Sequence, residues 1–372
     1  MSQTTIEERN AIQSSVRSLM EGHNSEADVR RVMETAEGHD PAVWKQLVEL
    51  GLTGLVIAPE FGGAGLGPVE LELVMEETGA ALLASPLLSS SVLAAGLLAA
   101  AGDAAVNKRL LPAIAAGKTI ATVAMTGDAG TWTADGVAVT ARADGDKWVL
   151  DGGANFVTHA ELADVLLVPA RTPAGIRIFE VAAKAPGVTI SALPTLDRTW
   201  RPARLDFAGV AATPVGTAGW PAAEAALQLA LVALAGEQAG GARRMFEKTV
   251  DYAKTRIQFG RAIGSFQAIK HMAADLLIEV ESATSAARAA AVALDAAGEG
   301  SNEPADVAIH LAAFACADAY TTVTATAVQM HGGIAFTWEH PAHLYLRRAR
   351  AQAQLFGAPA YHRERFLTAL GA

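Results

Sequence analysis

Tyr252-Ala253-Lys254-Thr255-Arg256-Ile257-Gln258-Phe259-Gly260, followed by Ile263-Gly264-Ser265-Phe266-Gln267, is the stretch on which the reading of this chain turns. It joins two long helical patterns. Upstream, residues 222–254 are apolar at helical spacing. Downstream, Phe266, Ile269, Ala273, Leu276 and Val280 step by three and four, with Asp275, Glu279 and Glu281 on other faces. Two further periods, over 303–331 and 341–370, complete a set sufficient for a four-helix bundle. Gly298 to Pro304 and Gly332-Gly333 fall where connections belong.

Toward the N-terminus the texture changes. Between 119 and 220, Val137, Val139 and Ala141 alternate with polar neighbours, Asp144-Gly145 makes a turn, and Trp148-Val149-Leu150 resumes. Residues 165–168, 176–181 and 203–207 repeat the theme, with Pro173 to Gly175 as another turn, which predicts an antiparallel sheet, a sandwich or a small barrel. Residues 1–118 read as helix after helix: Ala42-Val43-Trp44, Leu47-Val48 and Leu50 repeat at helical spacing behind Pro41. The expected class is α+β in three domains: an all-α domain over 1–118, a β domain over 119–220 and a helical bundle over 221–372. Alternating βαβ units do not fit this order.

Composition narrows the function. A net charge of −10, from 29 basic and 39 acidic residues, disfavours a nucleic-acid partner, which needs a concentrated basic surface. The single cysteine, Cys316, lies in an apolar run; it forms no internal disulfide and reads as a packing thiol in a reducing compartment. The N-terminus is polar, without the apolar core of a signal peptide, and no apolar run reaches the roughly 18–20 residues of a membrane span. A cytoplasmic protein without a membrane partner is the expectation. Gly63-Ala64-Gly65-Leu66-Gly67 is no dinucleotide fingerprint, since Pro68 stands where the last glycine belongs. Glu339, His340 and His343 lack a further ligand at metal-site spacing, so no metal is expected and a polar cluster is the reading.

Five segments together resemble the acyl-CoA dehydrogenases, across nearly the whole chain. They are Trp44 to Leu52 with Pro59-Glu60-Phe61-Gly62-Gly63 and Glu76-Glu77-Thr78-Gly79; Trp148 to Gly152 with Phe156-Val157-Thr158; Tyr252 to Gln267; Gln329-Met330-His331-Gly332-Gly333; and Thr337-Trp338-Glu339-His340 through Arg347-Arg348-Ala349. The last is similar to a group of actinobacterial members that act on steroid side chains, some as mixed pairs of unlike subunits. The resemblance implies FAD as cofactor and an acyl-CoA thioester as substrate. It implies that Arg256, Phe259 and Gln267, with Gln329, Gly332 and Gly333, reach a neighbouring subunit's dinucleotide. A guanidinium suits this, because its planar fork matches phosphate oxygens. It further implies that Thr126, Phe156 and Thr158 lie beside the flavin.

The pattern breaks at the base. The family's reaction removes a proton next to the thioester carbonyl with a carboxylate and passes a hydride from the next carbon to FAD. Carried onto this chain, the usual glutamate position is Phe356, before Gly357; the second family position, early in the first bundle helix, is Ala230. Neither is acidic. Glu237 is the next acid further along that helix, two turns on, with a polar contact inside the bundle as its plainer reading. The loop Thr126-Gly127-Asp128-Ala129-Gly130-Thr131-Trp132 also departs from the Thr-Glu-Pro and Gly-Ser-Asp of many relatives. Elements that reach outward are kept and those of the chain's own site are lost. That pattern points to a subunit completing a partner's FAD site within a heterotetramer. The alternatives are a self-sufficient homotetramer using another acid, a flavin monooxygenase of the same fold, and a non-catalytic scaffold.

Overall fold

The computed structural model describes residues 4–145, 147–298 and 305–372. Of the connection expected over Gly298 to Pro304, residues 299–304 lie outside the described residues, as does the very start of the polar N-terminus. The helices at the beginning are α1 (Ile6–His23), α2 (Glu26–Glu34), α3 (Pro41–Glu49), α4 (Pro68–Ala80), α5 (Ala95–Ala101) and α6 (Ala104–Ala115), with a π-helical turn over Leu87–Ala94 leading into α5. Local chemistry sets several starts. Thr5 and Glu8 form a reciprocal capping box on α1, and Asp40 accepts from Ala42 and Val43 while Pro41 opens α3.

The strands are β1 (Ala121–Val123), β2 (Thr140–Asp144), β3 (Lys147–Thr158), β4 (Val165–Thr172), β5 (Gly175–Ala182), β6 (Val188–Ala192) and β7 (Pro202–Val215). Pairing runs β1-β4-β2-β3-β7-β5, and β5 returns to β4, so β4, β2, β3, β7 and β5 close into a small barrel, with β6 beside β7. Leu150, Leu166, Val168, Phe179, Leu205 and Val210 fill its core. The barrel differs from the expected antiparallel sheet in two places: β1 and β2 both run parallel to β4, through Ala121 opposite Val165 and Thr140 opposite Arg171. Long connections permit this, whereas a tight hairpin cannot. Val137 and Val139 are buried but precede β2 rather than belonging to it.

The bundle helices are α7 (Trp220–Thr255), α8 (Gln267–Gly298), α9 (Asp306–His331), α10 (Ala342–Gln352) and α11 (Pro359–Ala369), and a two-residue hairpin of β8 (Ile257–Gln258) and β9 (Arg261–Ala262) joins α7 to α8. The helix expected over 341–370 is thus two helices. The chain breaks at Phe356-Gly357, both at positive φ, and restarts with Pro359 in the first turn. By length and hydropathy α9 passes for a membrane span. Its Ile309, Ala312, Cys316, Tyr320, Val323 and Ala327 are nevertheless buried in protein, which makes it a core helix.

Two compact units interleave along the chain. The described residues of Met1–Arg30, Pro68–Leu83 and Leu231–Ala372 form a helical unit; Arg31–Gly67 and Ala84–Ala230 form a second, which holds the barrel. In the helical unit α4 and α7 touch backbone to backbone. A Cβ on Gly79 would stand 2.0 Å from the Glu237 carbonyl oxygen, and one on Gly240 would stand 1.8 Å from that of Glu76. This close approach buries Glu70, Glu72, Glu76 and Glu77 of α4. Arg9, Arg17, Arg243 and Arg288 pair with them, because buried carboxylates need charge partners. Glu72 is the extreme member: Arg288 Nε lies 2.7 Å away, yet burial dominates and pushes its pKa up to about 8.

Candidate cofactor rim and base position

In the helical unit the residues expected to face outward do so. Arg256 follows α7, and its side chain makes no hydrogen bond or ion pair among the described residues. Phe259 and Gly260 form the two-residue turn of the β8–β9 hairpin, with φ of 52° and 76°. Two successive positive values are the signature of a type I′ turn, whose favoured pair is Asn-Gly. Phe259 takes the position at a steric cost while its ring stands 91% exposed, so packing does not explain it. Gln267 opens α8 and is exposed.

Gln329 and the two glycines lie in the last turn of α9 and the 3-10 turn after it, all exposed. Gly332 has φ 67° and ψ −146°, a conformation open in practice to glycine alone. A Cβ on either Gly332 or Gly333 would meet nothing within 4 Å, so the bare backbone faces space outside this chain. Phe336 (79% exposed) and Trp338 (55% exposed) flank the same turn.

The base positions look inward. Ala230 is fully buried in α7. Phe356 is 2% exposed with φ +60°, the left-handed conformation a bulky side chain rarely adopts. Glu237 is buried and engaged: Arg348 Nη1 lies 3.3 Å from one carboxylate oxygen and Gln352 Nε2 donates to the other at 2.9 Å. Arg348, itself buried, also donates to the Leu83 carbonyl at 3.1 Å. Every lone pair spent on these donors is unavailable to a substrate proton.

In the barrel unit a bulge in β3 between Ala154 and Val157 lifts Phe156 out of the ladder, at φ +56° and 40% exposed. Thr158 is buried. Thr126 is buried as well and bridges to Asn155, whose N–H donates to its carbonyl, while its hydroxyl donates to Thr131. The departure loop is thereby ordered from within.

Residues 6–118 match the family model for the acyl-CoA dehydrogenase N-terminal domain, and residues 217–370 the model for the acyl-CoA dehydrogenase C-terminal domain. The acyl-CoA dehydrogenase IpdE2 of Mycolicibacterium smegmatis is 34% identical over 354 residues, covering 95% of this chain and 96% of that protein. The chain belongs to the acyl-CoA dehydrogenase family. Among solved structures, the ChsE4-ChsE5 complex from Mycobacterium tuberculosis superposes with a TM-score of 0.90 at 30% identity, covering 100% of this chain and 99% of that one. A Tcur3481-Tcur3483 steroid ACAD variant gives 0.84 at 30% identity, with 98% of each chain covered.

As an acyl-CoA dehydrogenase the chain is of an FAD-dependent class of oxidoreductases. The rim fits such a dinucleotide: an uncommitted guanidinium, an exposed aromatic ring and open glycine backbone stand on adjoining segments. The motif reading missed Arg348 and Gln352 as partners of Glu237. Arg348 sits within the quoted C-terminal stretch and Gln352 three residues past its end, and their spacing of four places them on one helix face; a buried face carrying Arg and Gln was the available signal. Among the described residues no group of three His, Cys, Asp or Glu is set to hold a metal ion.

Proposed function

We propose that this chain is the complementing subunit of a mixed acyl-CoA dehydrogenase, a heterotetramer with a homologous subunit that carries the base. The substrate class is a bulky acyl-CoA thioester with a steroid-type side chain. The observation behind this reading is the state of Glu237. Glu237, the next acid along α7 after the Ala230 position, is locked to Arg348 and Gln352, while Ala230 and Phe356 are apolar. Arg256, Phe259, Gln267, Gln329, Gly332 and Gly333 would hold the partner's FAD, the guanidinium on its phosphates and the glycine amides against its backbone. Phe156, with Thr126 and Thr158, would form the flavin-side surface of this chain. FAD, when bound, accepts the hydride that leaves the substrate. Relatives named for a two-protein complex and for a steroid enzyme support the substrate class and the mixed assembly. Domain limits at 118 and 220 and a cytoplasmic setting belong to the same proposal.

The deciding measurement is flavin absorbance and acyl-CoA oxidation by the purified chain, alone and co-expressed with a homologous subunit. Yellow colour and oxidation of a steroid side-chain CoA thioester are expected only with the partner. A homomer that holds flavin stoichiometrically and oxidises an acyl-CoA would overturn the proposal.

A further inference from the structure

Behind the 329–333 turn lies an aromatic stack that the function above does not use. Tyr252, in the last turns of α7, stacks on His331 with ring centroids 4.4 Å apart, and its hydroxyl donates to the His331 carbonyl at 3.4 Å. His331 in turn lies 4.3 Å from His340. The hydrogen bonds fix the protons. His331 Nδ1 is 2.7 Å from the Ala327 carbonyl, which can only accept, so Nδ1 carries the hydrogen and buried Nε2, without a hydrogen-bond partner among the described residues, is bare. His340 Nδ1 accepts from the N–H of Ala342, the first residue of α10, at 3.2 Å and is bare. A second proton finds no acceptor among the described residues in either place: on His331 it would sit on the buried, unpartnered Nε2, and on His340 it faces another N–H.

We propose that Tyr252, His331 and His340 are positioning residues, a stack that holds the 329–333 turn outward only while both imidazoles are neutral. This rests on the reading that the turn meets a partner's dinucleotide. The charges around the stack agree. His340 faces His331 of α9, Lys248 of α7, His343 of α10 and Glu26 of α2; Glu26 alone favours a proton. Lys248 also faces His331, and Arg347 and Arg30 face His343. Burial, the largest cause, holds His340 down to about 4 and His331 and His343 below their ordinary value. A histidine depressed in the folded state stabilises it fully above its unfolded value, near 6.5, and that stability is lost as pH falls toward 4. Local opening of the turn therefore takes up protons.

The test is amide hydrogen exchange across 329–342, expressed as protection factors between pH 7.5 and 4.5, on the wild type and on His340→Asn. Asparagine keeps an oxygen acceptor for the Ala342 N–H but does not titrate. Wild-type protection should fall about tenfold per pH unit below 6.5, and the variant's should fall less steeply. Parallel profiles, or a flat wild type, would overturn the proposal. Nitrogen NMR of the wild type gives a check independent of any variant: protons on His331 Nδ1 and His340 Nε2 are expected, and the opposite tautomers refute it. FAD retention by the assembled complex, followed over the same pH range, separates the two readings. Protection lost without loss of FAD would leave the stack's titration standing and sink the turn's role at the dinucleotide.

Discussion

The rim and the base position of this chain are built by opposite rules. At the rim, Phe259 occupies a strained turn position with its ring in solvent, the Arg256 guanidinium has no partner among the described residues, and Gly332 presents bare backbone. Among the described residues these choices gain little beyond one edge-on contact of Phe259 with Phe266. At the base position the groups are engaged from within: Phe356 is buried, and Arg348 and Gln352 both bind Glu237, with only Gln352 Oε1 lacking a hydrogen-bond partner among the described residues. Local cost without local return marks surfaces shaped by something outside the chain, and side chains engaged with one another in the core mark structure.

The largest expected effect breaks the inner region. Arg348→Met leaves Glu237 buried without its guanidinium and should cost about 3–5 kcal/mol, read as a lowered urea midpoint at unchanged m value. Combining it with Glu237→Leu should recover most of that loss, because the pair rather than either residue is what the core accommodates. Glu237→Gln in the assembled enzyme should leave turnover unchanged. A collapse of turnover would make Glu237 the base and this chain self-sufficient.

Next in size is a change at the rim. Arg256→Gln should weaken FAD binding by the assembled complex about 10- to 100-fold, the loss of a charge-assisted contact of roughly 1.5–3 kcal/mol. The thermal midpoint of the chain alone should not move, since the guanidinium is committed to nothing among the described residues. A lowered midpoint would place Arg256 with the inner, structural group.

A test read as a slope rather than a midpoint asks whether burial is as dominant inside as Glu72 indicates. Its pKa is raised to about 8, so the folded state keeps a proton that the unfolded chain releases above about 4.5. The stability this group contributes is therefore full at low pH and is lost as pH rises through 8, by at most about 1.4 kcal/mol per pH unit. Glu72→Gln should flatten that slope in urea titrations between pH 5 and 8.

The two regions were also unequally legible. The helix–strand–helix order follows from periodicity, and the rim residues follow from motifs of exposed glycine, arginine and phenylalanine whose spacing is local. The inner region depends on meetings between distant positions. Glu237 finds Arg348 and Gln352 more than a hundred residues away, and α4 buries four glutamates only because Gly79 and Gly240 let two backbones touch. No local pattern announces such a meeting. The break at Phe356-Gly357 differs: Gly357 and Pro359 are ordinary stop and start signals that the apolar period of 341–370 overrode. The parallel pairings of β1 and β2 on β4 follow from chain routing, which strand spacing does not encode.

The smallest change is the sharpest. Phe259→Asn installs the Asn-Gly pair that a type I′ turn favours, and asparagine tolerates positive φ where phenylalanine does not. If the ring supported the hairpin, its loss would destabilise the chain. The ring is 91% exposed and meets Phe266 only edge-on at 6.1 Å, so relief of strain should win, raising the stability of the isolated chain by about 0.5–1 kcal/mol. The same variant should assemble with its partner, or retain FAD, less well than the wild type. Opposite signs in the two measurements would separate what the hairpin needs to fold from what the rim is for; matching losses would return Phe259 to the structural side of the comparison.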